Sequence, residues 1–176
     1  MEQMMKGIAL RGIVDIVREM AGPIGVEKLK SAAGEVTFSS SQKYPATLAA
    51  NLVKQAANII FGNNNPESEI ELGKITSKKF TNMAIGKTMF ALMGNNPKII
   101  ISSIAKIVGT GIDGFNIRTE VVGASTIKIT AIDDPFPVNH SIGMFAGILE
   151  QLGKTPVISN KSLDDHTYEL LVSWTE

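Results

Sequence analysis

The chain has 176 residues and a mass of 18.9 kDa, so we expect a single domain covering residues 1–176 that folds around its own core. Hydrophobic residues make up 44% and charged residues 19%, which excludes intrinsic disorder, and 17 basic side chains balance 17 acidic ones. The absence of cysteine excludes disulfide frameworks, thiol nucleophiles and cysteine-ligated metals. No apolar run suits a signal peptide or a membrane span, which predicts a cytoplasmic protein without membrane insertion.

The charges are unevenly distributed along the chain. Residues 1–114 hold 13 lysines and arginines against 9 acidic residues, whereas residues 115–176 hold 4 against 8. The segment from Leu72 to Ile112 contains six lysines and no acidic residue. A nucleic-acid surface usually carries arginine as well, and this segment has none. We interpret these lysines as solvating the outer faces of helices and expect no nucleic-acid partner.

The apolar spacing of residues 1–114 predicts about five helices, bounded by glycine and proline signals. They run from about Ile8 to Met20, Ile24 to Ala33, Pro45 to Ile60, Pro66 to Met93 and Pro97 to Val108. The fourth helix either continues or restarts beyond Met83. Pro45 suits a first helical turn, because its missing N–H has no partner there. The preceding residues 38–44 are predicted as a loop or the start of that helix.

The hydrophobic period changes to strict alternation after Gly114, which indicates strands. The predicted elements are strands at 115–121 and 127–131, a helix at 138–152, and strands at 157–160 and 167–174. Helices followed by a β-β-α-β-β module are typical of an α+β fold. We expect an N-terminal layer of about five helices (1–114) packed on a four-stranded antiparallel sheet (115–176).

No arrangement of residues suggests catalysis, so we expect a protein that is not an enzyme and has no catalytic residue. Neither His140 nor His166 lies in a metal-ligand spacing, and no serine lies in a nucleophile motif. The glycine-rich segment Gly109–Gly114 follows a helix and precedes a strand, the reverse of the phosphate-binding order. The sequence therefore predicts no cofactor and no metal.

A haem or metal site at one of the histidines is a further alternative. Asp164, Asp165 and His166 could supply carboxylate and imidazole ligands, although paired aspartates are also ordinary turn chemistry. His140 falls in the first turn of a predicted helix. A surface or capping-region histidine is the more common interpretation of that position, since a haem ligand needs an apolar pocket around the porphyrin.

Methionine and phenylalanine are concentrated in the fourth helix and in the helix of the C-terminal module. We single out Phe80, Met83, Phe90, Met144 and Phe145. Flexible thioethers and aromatic rings suit a cavity that alternately fills and empties, so they could line an apolar ligand pocket between helices and sheet, although residues of these types at helical spacing more often belong to the core. The alternative is that these side chains fill the space themselves at native packing density.

Five short segments resemble an uncharacterised paralogous family that is expanded in myxobacteria and their relatives. The segments are Lys6–Gly12, Tyr44-Pro45, Glu71–Lys74, Phe145–Leu149 and Tyr168–Trp174. That family in turn is similar to a fold shared by 4-vinyl-reductase-type domains, haem–nitric-oxide sensor domains and trafficking-particle subunits. The resemblance implies helices packed on a four-stranded antiparallel sheet, with one helix inserted between two hairpins.

The chain departs from the motifs of those relatives at two places. Small-molecule-binding relatives carry a cysteine near the last hairpin, where this chain has His166. Haem sensors use a Tyr-x-Ser-x-Arg motif for the propionates, which this sequence lacks. The resemblance therefore implies a small-molecule-binding or sensory domain without the metal and haem motifs of its relatives.

Two classes of function follow from these observations. The first is a non-enzymatic sensory, regulatory or signalling domain that binds an apolar small molecule. The second is a protein-interaction or dimerisation scaffold without a ligand, which would close-pack the methionines and phenylalanines and leave an apolar patch outside. A homodimer is predicted in either case.

Overall fold

The computed structural model describes residues 2–164 and 166–176, which form six helices and two antiparallel sheets. The first five helices precede the four strands of the larger sheet, so the predicted α+β class is confirmed. The elements in chain order are β1 (Met4–Lys6), α1 (Gly7–Ala33), β2 (Lys43–Pro45), α2 (Thr47–Phe61), α3 (Pro66–Asn82), α4 (Ala84–Met93), α5 (Pro97–Thr110), β3 (Asn116–Gly123), β4 (Thr126–Ile132), α6 (Val138–Gln151), β5 (Thr155–Ser162) and β6 (Tyr168–Thr175).

The larger sheet has the strand order β3-β4-β6-β5 and is antiparallel throughout. Side chains alternate between a buried face and a solvent face, as the period-2 pattern predicts. The inner face is lined by the fully buried residues Ile127, Ile129, Ala131, Leu170 and Val172. Helix α6 lies against β5 and β6, and α5 lies against β3, so the helical layer covers the inner face.

Helix α1 contains both the first and the second predicted helices. They meet at Gly22, whose backbone is non-helical with φ at 66° and ψ at −169°. Glycine adopts this positive φ without steric cost, and Pro23 then begins the second half of the helix. The predicted stop at Gly22-Pro23 is therefore a kink between two helical segments.

The small sheet formed by β1 and β2 is absent from the sequence-based expectation. Met5 is fully buried, pairs with Tyr44 and forms an isolated bridge with Ile112. The expectation that Pro45 begins a helix is wrong, because Pro45 ends β2 and α2 begins at Thr47. Proline tolerates both positions since it has no N–H to leave unpaired, which is why local sequence did not distinguish them.

The fourth predicted helix is two helices, α3 and α4, separated at Met83. The backbone of Met83 is extended, with φ at −71° and ψ at 159°. At its other end α3 is fixed by Asn65, whose side chain accepts a hydrogen bond from the backbone N–H of Ser68 at 2.9 Å. Helix α4 therefore has its own direction relative to α3.

No helix in the described part of the chain is both long enough and apolar enough to cross a membrane.

Candidate functional site

The five residues singled out for a pocket lie on three helices and at the junction between α3 and α4. Phe80 at the end of α3 and Phe90 on α4 are half-buried and pack against the core, while Phe145 on α6 is 6% exposed and belongs to it. Met83 at the junction is 41% exposed, and Met144 on α6 is half-buried. Three aromatic side chains thus fill space, whereas Met83 contacts solvent.

Helix α4 is held to the rest of the molecule by a narrow contact. Among its described residues, Gly86 and Met89 are buried, while Phe90 and Met93 are half-buried and pack against the core. Gly86 lies so close to the last turn of α3 that an added Cβ would be 2.6 Å from the Cα of Thr81. A ten-residue helix with so little buried surface is the kind of element that opens locally at small free-energy cost.

Helices α3 and α6 meet at backbone contact through three glycines. A Cβ on Gly73 of α3 would lie 2.9 Å from the Cα of Gly143, and a Cβ on Gly143 would lie 2.8 Å from the carbonyl carbon of Ile70. One turn further along α6, a Cβ on Gly147 would lie 2.9 Å from the Cα of Lys74. No space remains between these helices for any inserted group.

His140 lies in the first turn of α6 and is buried, with 1% of its surface exposed. Its ring stacks on Phe136 with a centroid separation of 5.3 Å, and its Nε2 is 3.2 Å from the Oγ1 of Thr76 on α3. The expectation of a surface histidine is therefore wrong. The glycine contact draws the first turn of α6 against α3 and covers the ring.

The hydrogen bonds of Thr76 determine which nitrogen of His140 carries the proton. The single hydroxyl proton of Thr76 is donated to the carbonyl oxygen of Leu72 at 2.9 Å. Thr76 must therefore accept from His140, which places the proton on Nε2 and leaves Nδ1 as a bare lone pair. Nδ1 is buried without a hydrogen-bond partner among the described residues. Burial lowers the pKa of His140 from 6.5 to about 4, so the ring is neutral at pH 7.

The loop between β4 and α6 holds a buried carboxylate that bonds Ser141, the residue after His140. Asp134 is 3% exposed and accepts hydrogen bonds from the backbone N–H of Phe136 at 2.9 Å, from the hydroxyl of Ser141 at 3.2 Å and from the hydroxyl of Tyr168 on β6. Burial raises the pKa of Asp134, and the three donors oppose that shift. Burial and the neighbouring carboxylate raise the pKa of Tyr168.

The buried hydrogen-bonded cluster of Asp134, Ser141 and Tyr168 is absent from the sequence-based site. In the sequence, Asp134 is followed by Pro135 and Pro137, a pattern that is typical of an ordinary surface turn. One signal was available, namely the spacing of Gly143 and Gly147 by four residues in an apolar helix, which indicates close helix packing and hence burial of the neighbouring turn.

His166 lies on the exposed loop between β5 and β6, where its backbone N–H donates to Asp164 at 2.9 Å. Asp165, the third member of the predicted ligand group, lies outside the described residues. Within residues 2–164 and 166–176, no three histidine or acidic side chains converge as a metal site would require.

Two surface depressions occur away from the five predicted pocket residues. One, of about 390 Å³, lies between the end of α5 and the start of β3 and is lined by Lys106, Thr110, Phe115 and their neighbours. The other, of about 350 Å³, lies over the α3–α6 contact beside Lys74 and Glu150.

Comparison with known proteins gives the family of this chain. A family model described as "Protein of unknown function (DUF2378)" matches residues 1–175. The chain belongs to the DUF2378 family. No curated protein matches the DUF2378 chain.

Solved structures of H-NOX proteins share the fold of the DUF2378 chain. The Fe(II) unliganded H-NOX protein from K. algicida has a TM-score of 0.76 at 12% identity, covering 98% of this chain and 97% of that one. A point mutant of the T. tengcongensis H-NOX has a TM-score of 0.75 at 13% identity and 98% coverage of both chains. The S. oneidensis H-NOX in the Fe(II)NO ligation state has a TM-score of 0.76 at 12% identity, covering 98% and 100%.

Sequence identities of 12–13% support a shared fold and nothing more. The expected similarity to haem–nitric-oxide sensor domains is therefore confirmed for the fold. The links to myxobacterial paralogues, 4-vinyl-reductase-type domains and trafficking-particle subunits stay predictions.

Haem and iron belong to these H-NOX structures, which raises the question whether the residues of this chain fit a haem. An axial imidazole needs a free nitrogen that faces a slot for the porphyrin. The Nε2 of His140 is bonded to Thr76. Its Nδ1 has no partner among the described residues, but it belongs to a ring that is 1% exposed and stacked on Phe136, so it faces no open slot. Neither depression is lined by His140. His166 lies on an exposed loop without an apolar pocket. The described residues do not fit a haem.

The buried histidine predicts a pH dependence of stability. Because the pKa of His140 is about 4 in the folded state against 6.5 in a peptide, the unfolded chain takes up the proton first as the pH falls. The contribution of the neutral His140 ring to the free energy of unfolding is therefore fully present above pH 6.5. It is lost, by about 3 kcal/mol, as the pH falls to about 4. His140→Phe should remove that part of the slope, measured by urea unfolding across this pH range.

The raised pKa of Asp134 acts in the opposite direction, since its proton is bound more tightly in the folded state. Asp134 is present in both wild type and His140→Phe, so the difference between their pH slopes gives the contribution of His140 alone. Equal slopes in wild type and His140→Phe would show that the ring is not buried in its neutral form.

Proposed function

We propose that the DUF2378 chain is a non-enzymatic sensory or regulatory domain that binds an apolar small molecule beneath α4. The observation that carries this proposal is the narrow attachment of α4 at Gly86 and Met89, next to the half-buried rings of Phe80 and Phe90. In the empty protein these rings fill the space beneath α4. When α4 moves outward, a ligand would take that space, so the cavity exists only in the bound state.

The junction between α3 and α4 supports such a movement. Met83 has an extended backbone, and its thioether is 41% exposed at the place where α4 would separate from α3. Methionine side chains adapt to different neighbours at small cost, which suits a position that contacts solvent in one state and a ligand in the other. Met144 and Phe145 on α6 form the opposite wall in this proposal.

The shared fold supports the sensory class by analogy. The relatives by fold are H-NOX proteins, one of them with nitric oxide at its iron. Because the described residues do not fit a haem, the proposed stimulus of this chain is a different molecule. Function is carried by sites rather than by folds, so the ligand must be tested directly.

A scaffold without a ligand is the second candidate. The observation that favours it is the packing of Phe80, Phe90 and Phe145 against the core together with exposed apolar side chains such as Leu92, which is 80% exposed. The predicted homodimer would serve this function, and it would also be compatible with the first.

The two candidates differ in how truncation changes ligand-induced stability. Under the ligand proposal, dodecanoic acid or indole, one aliphatic and one aromatic probe, should raise the melting temperature of wild type. Met83→Ala should abolish that shift while costing less than about 1 kcal/mol in the empty protein, because Met83 is 41% exposed and lies outside the core. The measurement is a thermal-shift titration, complemented by native mass spectrometry of protein purified from its own host.

Met20→Ala is the matched control, since Met20 is 51% exposed on α1 and lies outside the proposed site. It should keep the ligand-induced shift. Identical melting temperatures with and without both probes, together with no retained molecule in the native mass spectrum, would exclude the ligand proposal and leave the scaffold.

A further inference from the structure

Strand β3 is one of the two outer strands of the larger sheet. It pairs with β4 on one side, and within the described residues no strand pairs with its other side. Alternate backbone N–H and C=O groups of β3 therefore face outward, where they can extend the sheet. Arg118 and Glu120 lie on the solvent face of this strand, while Ile117, Thr119 and Val121 lie on the inner face. The open edge thus carries one charge of each sign on one face and mainly apolar side chains on the other.

The opposite edge of the sheet, β5, is less suited to pairing. It contains Pro156, which has no backbone N–H, and a proline in a sheet is found where its N–H side faces outward. Strand β5 also carries Lys161 and no acidic residue, so two copies of it would present no opposite charges to each other. Strand β3 contains no proline. The two edges therefore differ, and β3 is the one that is open to another strand.

We propose that β3 pairs antiparallel with β3 of a second copy of this chain, around a twofold axis at Thr119. The pairing joins the two four-stranded sheets into one continuous sheet. Residues 117–121 of each copy form the contact, which is small for a protein interface, so the dimer should dissociate on dilution. The proposal does not depend on a ligand beneath α4, and it is compatible with either candidate function.

The charges of β3 select the position of the axis. The twofold axis of an antiparallel pair of identical strands passes between two copies of the same residue. An axis at Arg118 or at Glu120 would place like charges opposite each other, which is destabilising. An axis at Ile117 or at Val121 would shorten the overlap and leave both charges unmatched. An axis at Thr119 places Arg118 opposite the partner's Glu120, and symmetry repeats that pair.

Both charged side chains are accessible for this contact. Arg118 is exposed, and within the described part of the chain no acidic side chain lies within 4.0 Å of it. Glu120 accepts a contact from Lys128 at 2.9 Å, and its side chain is 62% exposed. Because a carboxylate accepts several hydrogen bonds, Glu120 can bind the partner's Arg118 as well.

The same axis brings an exposed apolar side chain against a depression. Val121 is 56% exposed, although it lies opposite the fully buried Ile127. Helix α5 approaches the other end of the strand, where an added Cβ on Gly109 would lie 2.7 Å from the side chain of Ile117. Ile117 lines the depression of about 390 Å³ between α5 and β3. With the axis at Thr119, Val121 of each copy lies opposite the partner's Ile117, so each copy offers an apolar side chain where the other has a depression.

The first test is sedimentation velocity of the full chain across a dilution series. Wild type should change from monomer to dimer as the concentration rises. Arg118→Glu and Glu120→Arg each oppose like charges at both symmetric positions, so each should raise the dissociation constant on the order of tenfold. An equimolar mixture of the two variants should recover the association of wild type, because opposite charges face each other again in the mixed pair.

Lys161→Glu is the matched control for the charge variants. It reverses one charge at an exposed position of β5, the other edge, and should leave the dissociation constant unchanged. The mixture separates a lost contact from a misfolded variant, since misfolded chains would not recover. A wild type that stays monomeric at every concentration overturns the proposal and would leave the edge to a strand of another protein. A dimer that neither charge variant weakens overturns it too.

The second test uses the absence of cysteine from the chain. Directly opposite residues of antiparallel strands have Cβ atoms about 4.5–5.5 Å apart, so Thr119→Cys should form a disulfide-linked dimer under mild oxidation. Ser159→Cys, at an exposed position in the middle of β5, is the matched control and should stay largely monomeric on a non-reducing gel. Equal crosslinking of the two variants would show random collision and would contradict the proposed axis.

Discussion

Gly143→Ala is expected to lower the free energy of unfolding by about 3 kcal/mol or more, because the added methyl group has no space. Its carbon would lie 2.8 Å from the carbonyl carbon of Ile70, and neither backbone can yield without separating α3 from α6. Separation would also expose His140 and the neighbouring polar cluster. Urea unfolding of the purified variant, followed by circular dichroism, measures the change.

Gly12→Ala is the matched control for this substitution. Gly12 lies inside α1, and an added Cβ there would meet no atom within 4 Å. Replacement of a helical glycine by alanine without a clash is expected to stabilise the protein by about 0.5–1 kcal/mol. A lower free energy of unfolding for Gly143→Ala together with a higher one for Gly12→Ala would establish the close helix contact. An unchanged free energy of unfolding for Gly143→Ala would show that the helices are further apart.

Asp134→Ala is expected to destabilise the protein by about 2–4 kcal/mol, since it removes the acceptor of three hydrogen bonds in a buried place. The hydroxyls of Ser141 and Tyr168 and the backbone N–H of Phe136 would lose their partner together. Asp134→Asn should cost less, because the amide oxygen still accepts from the backbone N–H of Phe136, the amide NH2 can donate to the hydroxyl oxygens of Ser141 and Tyr168, and the burial penalty on the charge disappears. Chemical unfolding at pH 7 compares the two variants.

An exposed carboxylate gives the reference for that comparison. Asp113 forms an ion pair with Lys43 in which both side chains are 53% exposed. Asp113→Ala should therefore cost less than about 1 kcal/mol. If Asp134→Ala were as mild as Asp113→Ala, the cluster around Asp134 would have to be open to water.

The sequence predicts those parts of the fold that depend on local periodicity. The alternation in β4 and β6 and the helical stripes of α2 and α5 identify elements, because burial on one side of a regular element repeats at the period of that element. The pairing of Met5 with Tyr44 has no such signal, since three residues are too few to show a period and their contact joins distant parts of the chain.

The candidate site depends mainly on contacts that the sequence does not reveal. His140 was expected near the surface because a histidine in a first helical turn usually contacts water, and it is buried because Gly73 and Gly143 allow two backbones to touch. The five methionines and phenylalanines were identified by residue type, which is common to cores and pockets. Their role as ligand contacts stays a prediction.

The order of the larger sheet has a consequence for synthesis of the protein. Strand β6 lies between β4 and β5, so β4 and β5 have no direct contact in the sheet. During translation the β3–β4 hairpin can form early, while β5 stays without a partner until Tyr168–Thr175 leave the ribosome. The inner strand segment Ile127–Ala131 would meanwhile have an unpaired apolar edge, which other nascent chains could extend. Strand β6, the last of this sheet to be synthesised, is thus the one that closes this edge of β4.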